Sequence, residues 1–338
     1  MADARLRLAL VGCGNIARAH WRGVSRLAPR IEVTAVVDSD AAQAAAFAER
    51  IGVPAFANLG DALAGAQVEA VDLMVPHDLH EPLTLQALAA GRHVLLEKPM
   101  APTLAACERM LAAARAVQRV FMVNEQAQYW PDVHAVKGLL DAGIIGRALN
   151  VRTWFVDRTP VVQQPAPRPW RYDHLRAGGG ITMDGGSHWL RPLRLWFGEI
   201  ERVCAVRSRP VELMDDESQL QGLLRFRNGV TVSFETLLHD GPMAPLEDFR
   251  ITGTAGEIVV ESGATGRVLV FDTEHPAGRV FMTTMPGRVD AFGYALRDFG
   301  DAVLDGKPPA ATAEYSLGEL RAALALYRAA GSDRWEST

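Results

Sequence analysis

The sequence predicts an α/β chain, with a doubly wound parallel sheet first and then an α+β domain built on a large, mostly antiparallel open sheet. Three observations point to it. Short apolar runs alternate with Ala-rich helical stretches up to Asn124. Beyond residue 148, strand-like runs follow one another directly. A chain of 338 residues also exceeds what one hydrophobic core usually organises.

In chain order, residues 6–11, 31–37, 70–75, 93–97 and 120–124 are apolar almost throughout, as strands covered on both faces must be. The helical stretches between them complete a βαβ rhythm. After a helix from Pro131 to about Ala142, residues 148–155, 200–208, 219–225, 230–237, 249–253 and 257–260 read as strands. Asn228-Gly229 marks a hairpin between two of them. A proline-rich loop, 159–170, has the length of a lid or binding loop. Helices at 291–304 and 316–330 close the chain. The domain boundary is expected after residue 125, giving 1–125 and 126–338, with the C-terminal helices able to pack back on the first domain.

Charge excludes several partners. The 35 Lys plus Arg against 40 Asp plus Glu give a net charge of -5, with no basic footprint for nucleic acid or anionic membrane. The apolar run at 6–11 is too short for a secretory core and leads straight into a glycine turn, so it reads as a strand. No apolar stretch reaches the roughly 18 residues of a membrane span. The charge balance favours a small-molecule partner, and Cys13, Cys107 and Cys204, which match neither a disulfide framework nor a zinc pattern, point to a reducing cytoplasm. The His and carboxylate residues lack compact metal spacing, and no metal is expected.

The stretch "VGCGNIARAH" sets Gly12, Gly14 and Ala17 in the G-x-G-x-x-A arrangement between a strand and a helix that opens at Asn15 and Ile16. The first glycine permits the tight turn, the second lets backbone approach a pyrophosphate, and the third small residue lets helix and sheet pack closely. Asp38 ends the second strand, where a carboxylate accepts ribose hydroxyls. This is the dinucleotide-binding Rossmann arrangement. Asp38 repels a 2′-phosphate and Ser39 and Asp40 supply no Arg, so NAD is preferred over NADP, though not strictly. Cys13 is read as a backbone position in the loop, and His20 as a packing residue of the first helix.

Two further stretches hold chemistry. "LLEKP" brings Glu97, Lys98 and Pro99 to the carboxyl edge of the sheet, where open α/β sheets bind ligands. "GGGITMDGGSH" sets Asp184 and His188 four residues apart, on one face if helical. Five glycines there are costly unless backbone must come close to something, and a cofactor or substrate is the expected neighbour.

Together with "VPHDLH", "FMVNEQAQYWP" and "DFRITGTAGEI", these motifs resemble the Gfo/Idh/MocA family of NAD(P)-dependent oxidoreductases over nearly the whole chain. The resemblance implies that Lys98, Asp184 and His188 line a site beside the nicotinamide. It implies that Pro76 and Glu97 join Gly12, Gly14, Asn15, Ile16 and Asp38 at the cofactor; His80 either does so or simply opens the next helix. The implied reaction is hydride transfer between NAD(H) and a secondary alcohol or ketone of a sugar, cyclitol or related polyol. To act as a base near neutral pH, Lys98 would have to lose roughly three pKa units, about 4 kcal/mol, whereas a His starts near 6.5. His188 is therefore assigned general acid/base, Lys98 polarises the substrate oxygen, and Asp184 orients substrate or His188, with the Lys and His roles open to exchange.

Trp170, Arg171 and Tyr172 form either a substrate wall or plain surface, and His239 and Asp240 a possible rim. The chain departs from the family at Arg191, where an Asp is common, at Pro192, which should kink or delay the helix, and at His77 in place of Asn. The resemblance also implies a homodimer or homotetramer through the second domain's sheet. Two rival readings stay open: an NAD-dependent glycosidase with transient oxidation, and a non-catalytic NAD-binding regulator.

Overall fold

The N-terminal apolar runs become a parallel sheet. Its strands are β1 (Leu6–Val11), β2 (Ile31–Val37), β3 (Ala55–Phe56), β4 (Ala70–Leu73), β5 (His93–Glu97) and β6 (Phe121–Asn124). They pair in the order β3-β2-β1-β4-β5-β6, every pair parallel. Helices α1 (Asn15–Leu27), α2 (Ala41–Ile51), α3 (Leu59–Gly65), α4 (His80–Ala89) and α5 (Leu104–Val117) connect them. Leu8, Leu10, Val36, Val71, Leu95 and Met122 are fully buried, which is why these strands read as unbroken apolar runs. Strand order reverses direction at β1, so the crevice at the carboxyl ends of β1 and β4 is the switch point where such sheets take ligands. The two-residue β3 is too short to show a sequence pattern.

The computed structural model of the chain describes residues 4–158, 168–239, 241–244, 246–262, 266–283 and 287–338. Most of the proline-rich loop, and Asp240, lie outside them. The chain forms two units, Met1–Gln126 with Val289–Leu317, and Ala127–Arg288 with Gly318–Thr338. In the first unit, the late helix α9 (Ala291–Asp305) crosses α1 at Gly23, where a Cβ would sit 2.8 Å from the Gly293 nitrogen.

The second unit contains α6 (Pro131–Asp141), α7 (His174–Ala177), α8 (Ser187–Phe197) and most of α10 (Ala313–Ser332). Its strands are β7 (Ala148–Asp157), β8 (Ile200–Ser208), β9 (Gln219–Phe226), β10 (Thr231–Leu238), β11 (Glu247–Gly253), β12 (Gly256–Glu261), β13 (Arg267–Asp272), β14 (Arg279–Thr283) and β15 (Glu336–Ser337). Among the described residues they order as β14-β13-β12-β11-β7-β10-β9-β8-β15, antiparallel except for the parallel pair β7–β10. The Asn228-Gly229 hairpin joins β9 to β10, with Gly229 at φ +90°. Alternation along β10 buries Val232, Phe234, Thr236 and Leu238, so one face of the sheet is core. The outer strands β13 and β14 mix Arg into half-buried runs and were not anticipated from the sequence.

Helix α8 runs through Pro192 without starting late. The proline costs about 3 kcal/mol in a helix interior, offset by the burial of Trp189, Leu190, Leu193 and Phe197. Arg191 is fully buried: its guanidinium meets Glu319 at 2.8 and 3.0 Å and Gln128 at 2.9 Å. It is thus part of the unit's internal ion-pair network, shared with Arg194. Among the described residues, no helix is long and apolar enough to cross a membrane, and no three His, Cys, Asp or Glu residues gather as a metal site.

Candidate active site

The glycine turn fills the short gap between β1 and α1. Gly12 sits at φ +94°, and a Cβ on it would lie 2.2 Å from the Met74 carbonyl oxygen, so the turn requires glycine there. Gly14 differs. A Cβ on it would meet no described atom within 4 Å, so no described neighbour demands a glycine. Gly14 is also the N-cap of α1 and lends no side chain to the first N–H groups of that helix, at Asn15 and Ile16. A bound pyrophosphate would give Gly14 a close neighbour and the helix N-terminus its acceptors.

Asp38 sits beside this turn. Its carboxylate accepts the Cys13 N–H at 2.7 Å and the Asp40 N–H at 2.9 Å, and two oxygens retain lone pairs for ribose hydroxyls. The Cys13 thiol donates to the Val37 carbonyl at 3.7 Å, and burial pushes it up to about 12. Gly12, Gly14, Asn15, Ile16 and Asp38 therefore fit a bound NAD.

Lys98 follows β5 at the same carboxyl edge, and its bond to Pro99 is cis. β4 separates β5 from β1, so two strand spacings, roughly 10 Å, divide the two strand ends. Glu97 is only 8% exposed and engaged within the protein. His20 Nε2 lies 2.9 Å from its Oε1, the Asn124 amide donates to the same oxygen at 2.8 Å, and its Oε2 accepts the Lys98 N–H at 3.2 Å. His20 is thus the hub of a buried polar cluster and not a plain packing residue of α1, since its Nδ1 also lies 2.7 Å from Asp72 Oδ2.

His80 is fully buried at the start of α4. Its Nε2 faces the Val75 carbonyl at 3.0 Å and its Nδ1 the Pro99 carbonyl at 2.9 Å, and burial lowers its pKa. Its imidazole therefore lies between the ends of β4 and β5, donating to one of these two carbonyls when neutral. Pro76 leads from β4 into the short turn His77–Leu79, and His77 packs edge-on against His80.

The glycine-rich segment folds as a left-handed cap, a π-turn and a helix start. Gly178 takes φ +78° after α7, Thr182–Gly186 forms the π-turn, and His188 is the second residue of α8. Such turns recur at functional sites. A Cβ on Gly180 would lie 1.9 Å from the Glu217 carbonyl oxygen, one on Gly179 2.6 Å from the Tyr327 hydroxyl, and one on Gly185 2.1 Å from the Phe155 ring. These glycines make room for the protein's own side chains, which corrects the expectation that a cofactor or sugar fills that space. The Glu217 carboxylate accepts the Gly180 N–H at 3.2 Å and the Thr182 N–H at 3.0 Å.

On this turn Asp184 is a half-buried carboxylate that pairs with the Arg171 guanidinium at 3.1 Å. Arg171 in turn covers the Trp170 ring, 4.4 Å from its centroid. Trp170, Arg171 and Asp184 are therefore assembled in one place. The Tyr172 phenol is raised by burial and by the charges of Asp157 and Asp184. The His188 ring lies 6.1 Å from that of Trp130. The arrangement offers an oriented carboxylate and an imidazole beside aromatic walls, groups suited to hydroxyl recognition and proton transfer.

Sequence reasoning missed Asp72, Glu217 and Tyr327. Asp72 left one signal, a lone charge inside an apolar strand. Glu217 and Tyr327 left none, since they meet the glycine segment only across the fold.

Residues 6–125 match a family described as "Oxidoreductase family, NAD-binding Rossmann fold" (GFO_IDH_MocA), and residues 133–259 match the "GFO/IDH/MocA C-terminal domain". The chain is 29% identical to a 1,5-anhydro-D-fructose reductase from Ensifer adhaerens, covering 96% of each chain. It is 34% identical to an inositol 2-dehydrogenase from Leifsonia xyli subsp. xyli over 68% of this chain and 66% of that one. Its fold matches the WlbA dehydrogenase of Bordetella pertussis, solved in complex with NADH and UDP-GlcNAcA, at a TM-score of 0.88, 24% identity and coverage of 100% and 99%. With both domains of the family matched in order, the chain belongs to the Gfo/Idh/MocA oxidoreductases, and its first domain is their NAD-binding Rossmann fold.

Proposed function

We propose that the protein transfers hydride between NAD(H) and a secondary alcohol or ketone of a sugar, cyclitol or related polyol. The observation that carries this reading is Gly14, a cradle that no described atom fills, at the same sheet edge as Lys98. The near-full-length similarity to a reductase named for an anhydro-sugar supports the substrate class.

When bound, the nicotinamide supplies or accepts the hydride. The remaining work falls to this chain. In the reducing direction His188 gives a proton to the carbonyl oxygen, and in the oxidising direction it takes the hydroxyl proton. Lys98 holds charge developing on that oxygen, which an ammonium does best where water is excluded. Asp184, already fixed by Arg171, accepts a substrate hydroxyl and sets the sugar's orientation. Trp170 offers an aromatic face to the sugar ring. Asp38 selects NAD over NADP by opposing a 2′-phosphate.

A homodimer or homotetramer is part of the same reading, supported by exposed Val206, Leu223, Val280 and Phe281 on strands of the second unit's sheet. So is a cytoplasmic location, supported by the free Cys13, Cys107 and Cys204.

The test is a panel of carbonyl sugars with NADH, headed by 1,5-anhydro-D-fructose, and of polyols with NAD, headed by inositol. Turnover of at least one member is expected, reduced about 10²-fold or more in His188→Ala with NADH affinity retained. Absence of NADH binding overturns the reading, and undiminished turnover in His188→Ala overturns the role of that residue.

A further inference from the structure

The first unit buries an ionisable cluster that hydride transfer does not itself require. His20 on α1 is fully buried, with Nδ1 2.7 Å from Asp72 Oδ2 on β4 and Nε2 2.9 Å from Glu97 Oε1 on β5. Asn124 on β6 donates to that same Glu97 oxygen at 2.8 Å, and the Phe292 ring of α9 covers the imidazole at 5.0 Å between centroids. The second oxygen of Glu97 accepts the backbone N–H of Lys98. A continuous set of contacts therefore runs from Asp72 through His20 and Glu97 to the backbone of Lys98.

We propose that Asp72 and His20 are positioning residues for Lys98: they lock the Glu97 carboxylate, and through it the backbone from which the lysine extends. The inference rests on the reading above in which Lys98 acts at the substrate oxygen. A purely structural role explains the cluster poorly, because well-packed apolar residues commonly stabilise an interior as well as a buried ion pair does or better.

The ring's protonation completes the lock. Burial opposes its charge, but the field of Asp72 and the hydrogen bonds to Asp72 and Glu97 outweigh burial and push His20 up to about 10. A doubly protonated imidazole donates to both carboxylates at once, whereas a neutral one serves a single acceptor. Asn124 Nδ2, 3.0 Å from His20 Nε2, then donates to Glu97 alone. Among the described residues, the groups facing the ring are Glu97, the uncharged Asn124, Phe292 and Asp72, whose own pKa burial raises against the pull of His20. His80 on α4 also feels Glu97, but burial lowers its pKa.

The test uses the full chain, with NADH and 1,5-anhydro-D-fructose as the assay pair. In the wild type, nitrogen NMR should show both His20 ring N–H groups at about pH 8. Asp72→Asn keeps the side-chain shape but removes one charge, so the ring should titrate at lower pH. There kcat should fall about 10-fold or more as pH rises through the ring's titration, with KM and NADH affinity nearly unchanged. The Lys98 signal of lysine-labelled protein should move with that titration, while those of Lys137 and Lys307, the chain's other lysines, stay still.

A neutral His20 in the wild type at about pH 7 overturns the proposal however the variants fold. So does an Asp72→Asn titration to which kcat and the Lys98 signal are both blind. Lys98→Met separates the two readings. Intact turnover there sinks the role of Lys98 itself, whereas lost turnover beside a blind Asp72→Asn profile sinks only the positioning.

Discussion

Tyr327 and Glu217 hold one another and the glycine-rich segment together. The Tyr327 hydroxyl donates to Glu217 Oε1 at 3.0 Å and accepts the N–H groups of Gly180 and Met183 at 3.1 and 3.2 Å. Burial raises the pKa of Glu217, and the bonds from Thr182 and Tyr327 oppose that rise. The turn that presents Asp184 and His188 is therefore shaped by residues far from it in sequence.

Tyr327→Phe should remove one donor from a buried carboxylate and the acceptor of two N–H groups. Leaving such groups unpaired costs about 1–3 kcal/mol. A lower urea midpoint is expected together with reduced turnover, since this turn carries Asp184 and leads directly into the start of α8, which carries His188. Equal midpoints for variant and wild type would show that the hydroxyl does not support the turn.

Gly14→Ala should be nearly silent in stability, because its Cβ meets no described atom within 4 Å. Binding should suffer instead, with NADH affinity reduced about 10-fold or more as the methyl group intrudes on the pyrophosphate. Fluorescence titration measures this directly. Gly12→Ala is the contrast: φ +94° and the Met74 carbonyl should make it lose stability as well. An affinity unchanged in Gly14→Ala would place the nucleotide elsewhere.

Asp38→Asn removes the charge that opposes a 2′-phosphate while keeping an acceptor near the Cys13 and Asp40 N–H groups. NADH should bind more weakly and the NADPH-to-NADH preference should rise, by about 10-fold for a loss near 1.4 kcal/mol. Parallel titrations with the two cofactors check it, and an unmoved ratio argues against a ribose contact at Asp38.

Stability of the first unit should depend on pH through His20. Its folded pKa of about 10 lies above the ordinary 6.5, so the folded chain keeps a proton that the unfolded chain releases between those values. The ring's contribution is complete below about pH 6.5 and is lost as pH rises through about 10. Thermal unfolding followed across that window should show a falling Tm, and His20→Leu should flatten the trend. A flat wild-type profile would mean that the ring is neutral when folded.

Periodicity and local chemistry made much of the fold legible. β1, β2 and β5 fall at the expected bounds because a strand covered on both faces must be apolar almost throughout, and β8 falls at its expected bounds as well. The glycine turn and Asp38 were legible because their spacing follows from backbone geometry within one βαβ unit. β13 and β14 were not anticipated; in β14 Val280 and Phe281 are both exposed, so its apolar residues do not follow the alternation that marks a half-buried strand.

From its order of residues alone, this protein declares a dinucleotide turn, a lysine at a strand end and an acid–histidine pair on a glycine-rich segment, all set by contacts within a few residues. Tertiary structure alone decided what those pieces lean on: Asp72 beneath His20, Glu217 and Tyr327 beneath the glycines, and Glu319 around Arg191. Each of these joins residues separated by long stretches of chain, and the need to pair a buried charge or N–H group leaves no mark on the neighbouring sequence.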